Sequence, residues 1–120
     1  MSTYIDGFVI PIPKNNLNAY REMATKASLV WKEHGALQYI EAAGDDLDVK
    51  DQTSFTQLAG ASADEIVVFS YIVFESREHR DRVNANVMAD PRVKAMCGPD
   101  LAPFDVKRMA YGGFRAIVEA

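Results

Sequence analysis

Asp6 stands within an apolar run of β-branched and aromatic residues, where an acidic side chain is unusual. In an extended strand it shares a face with Phe8 and Ile10. A carboxylate on an apolar face needs a partner or a raised pKa. Two interpretations follow: Asp6 is an acid or base within a pocket, or it pairs with Arg108 of a neighbouring last strand. The ion pair is favoured, because structural ion-pair networks also place charges at such positions.

His34 is the second candidate for acid–base chemistry, because it continues the apolar stripe of the first predicted helix. If it faced a cavity between helix and sheet, its imidazole would be suited to act as an acid or base near neutral pH. It also stands in the last turn of that helix, where a cationic side chain suits the helix dipole. If the protein is catalytic, we expect Asp6 or His34 to act as base. Arg108 or Tyr111 would then steady a developing anion.

Candidate ligand-binding residues lie on two predicted strands. Tyr39 and Glu41 share one face of the second strand, and Tyr111 projects similarly from the last. A few polar groups that converge in an apolar cleft are typical of a small-molecule site, although aromatic residues in strands are more often plain packing. Gly112, followed by Gly113, indicates a bulge or a close backbone approach, with room for a ligand or a partner subunit.

The sequence predicts neither a metal site nor a cofactor. The two histidines are far apart, so a site built from His34, His79 and an acid would be exceptional. The acidic segment 45–51 lacks the glycine and terminal glutamate of an EF-hand loop. There is no nucleophile elbow and no dinucleotide-binding fingerprint. Cys97, the single cysteine, is interpreted as incidental.

Three further residues that could carry chemistry are assigned to structure. His79 and Arg80 lie near the start of the second predicted helix, and we expect both to be exposed. Trp31, on the apolar stripe of the first helix, is predicted to be core.

Length and charge limit the possible partners. The 120 residues predict one domain over 1–120. The net charge of −4 argues against binding to nucleic acid or to an anionic membrane, since both need a basic face. The N-terminal sequence is not typical of a signal peptide, and no apolar run reaches membrane-spanning length. A cytoplasmic protein is predicted.

The elements that must position these residues follow the order β-α-β-β-α-β. The first helix begins after a cap at Asn15 or Asn16 and stops at Gly35, and Ser76 caps the second. This order predicts an α+β, ferredoxin-like sandwich, with an antiparallel sheet and both helices on one face. The predicted strands are 4–12, 36–43, 65–75 and 107–118; the helices are 17–34, 76–89 and 91–96, with a short helical turn at 54–59.

The third predicted strand is apolar on both faces. One side is lined by Ile66, Val68, Ser70, Ile72 and Phe74, and the other by Val67, Phe69, Tyr71 and Val73. A sheet with one solvated face would alternate apolar and polar residues. A monomer would therefore expose an unusually large apolar patch. We expect a homodimer in which a second copy covers this face about a two-fold axis.

Four segments together resemble the YbaA-like family of small bacterial proteins: 4–9 (YIDGFV), 67–72 (VVFSYI), 80–92 and 103–114 (PFDVKRMAYGGF). The resemblance runs from residue 4 to residue 117. It implies the dimeric α+β barrel superfamily and no established activity. That superfamily includes cofactor-free oxygenases, isomerases, haem-degrading enzymes and regulatory ligand-binding modules, and analogy at this level is weak evidence for function.

Two hypotheses about function follow. In the first, each subunit of a dimeric barrel holds a small apolar pocket that binds a small organic molecule. It either only binds the molecule or transforms it by cofactor-free proton transfer or oxygenation, with Asp6, His34 and Arg108 meeting at the pocket. In the second, the protein is a non-enzymatic ligand sensor or assembly module. RNA binding ranks last, because the acidic chain lacks a basic, aromatic stripe.

Overall fold

The computed structural model describes residues 2–96 and 102–120. Four strands and four helices follow one another as β1, α1, β2, α2, β3, α3, α4 and β4, with short 3₁₀ turns at Lys14–Asn16 and Val106–Arg108. The strands are β1 (Tyr4–Pro13), β2 (Gln38–Ala43), β3 (Glu65–Phe74) and β4 (Ala110–Arg115); the helices are α1 (Leu17–Glu33), α2 (Phe55–Ala59), α3 (Arg77–Ala89) and α4 (Pro91–Met96).

The four strands form one antiparallel sheet in the order β2-β3-β1-β4. The ferredoxin-like prediction is confirmed. Alternate residues of β1 and β3 face the helices, and their apolar side chains bury against α1, α3 and α4 in two adjoining clusters. Val30 of α1, Val83 and Val87 of α3 and Val93 of α4 are all at most 3% exposed. None of the helices within the described ranges is both long and apolar enough to span a membrane.

The ends of α1 depend on two local features. Asn16 occupies the N-cap position, but its side chain caps nothing and instead donates from Nδ2 to the carbonyl of Pro103 at 2.8 Å. The helix stops as predicted before Gly35, whose φ of 116° is disfavoured for residues that carry a Cβ. A Cβ there would also lie 3.3 Å from His79 Nε2, so Gly35 lets α1 approach α3 closely.

Serine caps begin two other helices. Ser54 accepts from the backbone N–H of Gln57 in a capping box and starts α2, the predicted helical turn. Ser76 accepts from the N–H of His79 and starts α3 as predicted.

The last strand is shorter than the prediction of 107–118. Asp105 accepts from the N–H of Lys107 and starts the 3₁₀ turn, which occupies Val106–Arg108. Pairing of β4 with β1 begins only at Ala110. Arg108 therefore lies outside the sheet, contrary to the prediction that it belongs to the last strand.

His79 is buried and Arg80 is only partly exposed, so the prediction that both are exposed is wrong. His79 is 8% exposed, packs edge-on against Phe74 and accepts at Nδ1 from the N–H of Glu75. The Arg80 side chain is 16% exposed and points towards Tyr4 and Asp6. Both residues stand in the first turn of α3, whose start is packed against the sheet.

The face of the sheet opposite α1 and α3 is also apolar. The short helix α2 covers one end, where Phe55 stacks on Phe69. Beyond α2 the face stays open, with Phe69 47% and Phe114 61% exposed. Ile5, Val9, Tyr71 and Val73 lie between them and are only partly buried.

Candidate functional site

A cavity of about 450 Å³ lies between the helix-covered face of the sheet and helices α1, α3 and α4. This volume is within the range typical of small-molecule sites. Its wall is mostly apolar, with a few polar groups at two places. The described lining residues include Asp6, Phe8, Tyr20, Ala27, Trp31, Tyr39, Glu41, Ser70, Ile72, Asn84, Phe104 and Tyr111.

Methionine makes up much of the apolar wall. Met23, Met88, Met96 and Met109 all line the cavity, and they are four of the five methionines in the chain. They come from α1, α3, α4 and the segment before β4. Methionine side chains are flexible and polarizable, so they adapt to ligands of different shapes and contact aromatic rings favourably. The cavity thus has an adaptable wall between its polar groups.

Asp6 is the main polar group at the β1–β4 side of the cavity. It is 1% exposed and lies on the helix-covered face, as predicted. Its Oδ2 accepts from Asn84 Nδ2 at 2.9 Å and from the Tyr111 hydroxyl at 3.3 Å. Its Oδ1 has no hydrogen-bond donor among the described residues. One carboxylate oxygen is therefore held in place by hydrogen bonds, and the other accepts none.

Arg80, not Arg108, supplies the positive charge beside Asp6. Arg80 Nε lies 3.6 Å from Asp6 Oδ1, too far for a hydrogen bond, while its other nitrogens donate to the hydroxyls of Tyr4 and Tyr111. The guanidinium also lies over the Tyr4 ring, 4.9 Å from its centroid. Burial and the charge of Asp6 raise the pKa of Tyr111.

Gly113 makes room for this arrangement. It pairs with Asp6 across the β1–β4 ladder and so shares the helix-covered face. A Cβ at Gly113 would lie 2.6 Å from the Tyr4 hydroxyl oxygen and 2.7 Å from Arg80 Nη2. Gly112 pairs with Gly7 on the opposite face, away from the cavity. The sequence therefore singled out the right pair of glycines, but Gly113 and not the predicted Gly112 lies on the cavity side of the sheet.

Glu41 is the polar centre at the β2 side of the cavity. The Tyr20 hydroxyl donates to its Oε1 and the Tyr39 hydroxyl to its Oε2, both at 2.7 Å. Burial, together with the neighbouring Glu41 charge, raises the pKa of both tyrosines well above the usual range. Both hydroxyls therefore stay protonated and act as donors to the carboxylate.

His34 and Arg108 lie away from the cavity, so the predicted meeting of Asp6, His34 and Arg108 does not occur. His34 Nε2 lies 3.0 Å from Asp90 Oδ2, at the junction of α3 and α4. Arg108 donates to both carboxylate oxygens of Glu65, at 2.7 and 3.0 Å. The predicted ion pair between Asp6 and Arg108 is wrong, because each side chain has a nearer partner of opposite charge.

Tyr39, Glu41 and Tyr111 do line the cavity with Asp6, as the strand faces predicted. The sequence did not identify Tyr20, Asn84 or Arg80 as residues of the site. Tyr20 could have been predicted, because it lies on the same apolar stripe of α1 as Trp31. Asn84 and Arg80 are four positions apart on α3, so they share a face of that helix.

The residues described by the structure contain no cluster of three or more histidine, cysteine, aspartate or glutamate side chains that could hold a metal ion. Cys97, interpreted from sequence as incidental, lies outside the described residues.

Residues 3–106 match the family described as "Protein of unknown function (DUF1428)". This match covers most of the chain. The chain belongs to the DUF1428 family. It is also 44% identical to the uncharacterized protein YbaA of Escherichia coli K12 over 116 residues, which is 97% of each chain, and equally similar to YbaA of Shigella flexneri. The resemblance to the YbaA-like family is confirmed, and both relatives are named as uncharacterized proteins.

Two solved structures with the same fold are much more distant in sequence than the YbaA relatives. A dimeric ferredoxin-like protein from an uncultured marine organism matches with a TM-score of 0.65 and 10% identity, over the whole of both chains. A putative antibiotic biosynthesis monooxygenase from Bacillus cereus matches with a TM-score of 0.59 and 12% identity, over all of this chain and 98% of its own. At such identities the likeness shows the fold alone.

Proposed function

We propose that this protein binds a small organic molecule in the cavity beside Asp6 and Glu41. The observation that carries the proposal is the composition of the wall, which is apolar and rich in methionine but interrupted by two hydrogen-bonded carboxylates. A wholly structural core would fill such a volume, since protein interiors are close-packed. Polar groups at two places would orient a bound molecule, and the apolar wall would supply most of the affinity.

We also propose that the working form is a homodimer, in which a second copy covers the open face of the sheet. The exposed Phe69 and Phe114 and the partly buried apolar residues between them support this assembly. The marine ferredoxin-like protein with the same fold is described as dimeric, which supports this proposal. The cavity lies on the helix side of the sheet, so each subunit would keep its own site.

A second candidate function is cofactor-free proton transfer within the same cavity. The favouring observation is Asp6, whose buried Oδ1 has no donor while its Oδ2 accepts two hydrogen bonds. In such a reaction Oδ1 would accept a proton from the bound molecule. The Tyr111 hydroxyl, which accepts from Arg80, would turn from Asp6 Oδ2 and donate its hydrogen bond to the anion that forms.

Binding is tested with tert-butylbenzene, a neutral probe that fits an apolar cavity. Trp31 is the only tryptophan and lines the cavity, so its indole N–H gives one assignable NMR signal that reports occupancy. We expect saturable shifts of this signal. Ala27→Phe fills the cavity and should abolish them, whereas Ala19→Phe, the same change at an exposed position of α1, should not. No shift in the wild-type protein would exclude the proposed binding.

A further inference from the structure

The described residues that line the cavity include two carboxylates and no lysine, arginine or histidine. Asp6 has a positively charged neighbour in Arg80, whose Nε lies 3.6 Å from Asp6 Oδ1. Glu41 has no such partner within the described ranges: its two oxygens accept only from the Tyr20 and Tyr39 hydroxyls. Neutral donors spread the charge of a carboxylate but do not cancel it. The Glu41 side of the cavity therefore favours a positively charged group.

Aromatic rings surround the same place. Tyr20, Trp31 and Tyr39 all line the cavity with Glu41. The centroids of Trp31 and Tyr39 are 6.0 Å apart, and their planes are inclined by 48°, so the two rings form a corner and not a stacked pair. Phe104 packs against Tyr20 with its ring at 73°. Aromatic walls attract organic cations through the electron-rich faces of the rings, more strongly when the cation is desolvated.

We propose that these four residues, Tyr20, Trp31, Tyr39 and Glu41, form an ammonium site, called here the Glu41 box. The inference rests on the proposed function and deepens it, because it assigns a chemical class to the bound molecule. That molecule carries an amine or quaternary ammonium group on an apolar body. The head group lies at the Glu41 box, and the body lies along the methionine wall.

An outer groove offers a route to the Glu41 box. This groove, of about 340 Å³, runs between α1 and β2 and is lined by Tyr20, Tyr39 and Glu41 as well as by Thr25. These three residues and Ala24 line both the groove and the cavity. Arg21 also lines the groove, but it does not line the cavity and makes no ion pair with Glu41. A cation bound inside the cavity would therefore be the nearest positive charge to the side of Glu41 that faces the cavity.

The test compares two probes of almost identical shape, phenyltrimethylammonium and tert-butylbenzene, which differ by one positive charge. Dissociation constants are measured from the Trp31 indole signal. We expect the wild-type protein to bind the cation about tenfold more tightly than the hydrocarbon. Glu41→Gln should bind the cation with a clearly smaller preference and still bind tert-butylbenzene, which also shows that the cavity is intact.

Glu22→Gln is the matched control. It removes the same charge from an exposed position of α1 and should keep the tenfold preference, so a general effect of net charge is separated from a local one. Equal affinity of the wild-type protein for both probes would overturn the ammonium site while the proposed cavity function stands. A preference of the same size in Glu41→Gln as in the wild-type protein would also overturn it. If neither probe bound to the wild-type protein, both proposals would be overturned.

Discussion

Trp31 Nε1 donates a hydrogen bond to Asn84 Oδ1 at 3.0 Å and so fixes the orientation of the Asn84 amide. With its oxygen held by the indole, the amide presents its NH₂ group to Asp6, where Nδ2 lies 2.9 Å from Oδ2. A residue of α1 thereby sets the hydrogen bonding of a carboxylate on β1 through a residue of α3. The arrangement places a donor, not a second acceptor, against the buried acid.

Asn84→Asp tests this orientation by replacing the donor with a second acid beside Asp6. Two carboxylates in contact within a largely buried site repel each other, so we expect a loss of roughly 3 kcal/mol in the free energy of unfolding at neutral pH. The pair would hold a proton more tightly when folded than when unfolded. The loss should therefore shrink as the pH falls into the range where carboxyl groups titrate. Chemical denaturation at several pH values measures both effects.

The control for Asn84→Asp is Asn86→Asp, the same substitution at an exposed position of α3. It should change the unfolding free energy little. If the two variants were equally stable, the proposed contact between residue 84 and Asp6 would not exist in solution.

Gly113→Ala should destabilise the protein by about 1–3 kcal/mol, because the new methyl group would overlap the Tyr4 hydroxyl and the Arg80 guanidinium. The control is Gly112→Ala, the same substitution at the adjacent position. A Cβ there meets only the Phe114 ring at 3.6 Å, which is an ordinary contact. Thermal melts of the two variants should differ clearly, and a Gly112 variant as unstable as the Gly113 variant would contradict the assignment of faces.

Arg108 contributes to stability in a pH-dependent way through Glu65. Its hydrogen bonds lower the pKa of the Glu65 carboxyl to about 2. Because this pKa is lower in the folded state than in the unfolded state, the stabilisation is present above the ordinary carboxyl pKa of about 4. It is lost as the pH falls towards 2. We expect Arg108→Gln to be less stable than the wild-type protein at neutral pH, with a difference that narrows over this acidic window.

Arg108→Gln also separates two roles for this residue. Because Arg108 lies outside the cavity, tert-butylbenzene affinity should stay unchanged in the variant. Weaker binding in a fully folded Arg108→Gln protein would instead favour the role predicted from sequence, in which Arg108 belongs to the site.

The strand faces were predictable because alternation in β1, β2 and β3 is a local property of the sequence. It correctly placed Asp6 on the same face of β1 as Phe8 and Ile10, and Tyr39 and Glu41 together on one face of β2. The partner of Asp6 was not predictable in the same way, since it depends on where the last strand starts. A 3₁₀ turn capped by Asp105 moves Arg108 out of the sheet, and no strand-propensity argument anticipates that shift.

Predicting the cavity required the positions of the helices, which the sequence specifies less directly than the faces of the strands. The apolar stripe of α1 includes His34, but the helix has effectively ended there, and the imidazole contacts Asp90 instead of the cavity. For α3, the expectation that Arg80 is exposed ignored how closely the first turn packs on the sheet. Closely packed helix ends are set by tertiary contacts such as that of Gly35 with His79.

The open face of the sheet gives the last prediction, which concerns assembly. Phe114 on this face and Leu29 on α1 are both 61% exposed, so exposure alone does not distinguish them. Phe114 belongs to a continuous apolar face with Ile5 and Val9, and a second copy would bury it. We therefore expect the wild-type protein to be a dimer at micromolar concentration in light scattering. Phe114→Glu should dissociate it, because a charge without a partner in an interface is costly. Leu29→Glu should remain dimeric. A monomeric wild-type mass, or equal dissociation by both variants, would contradict assembly through this face.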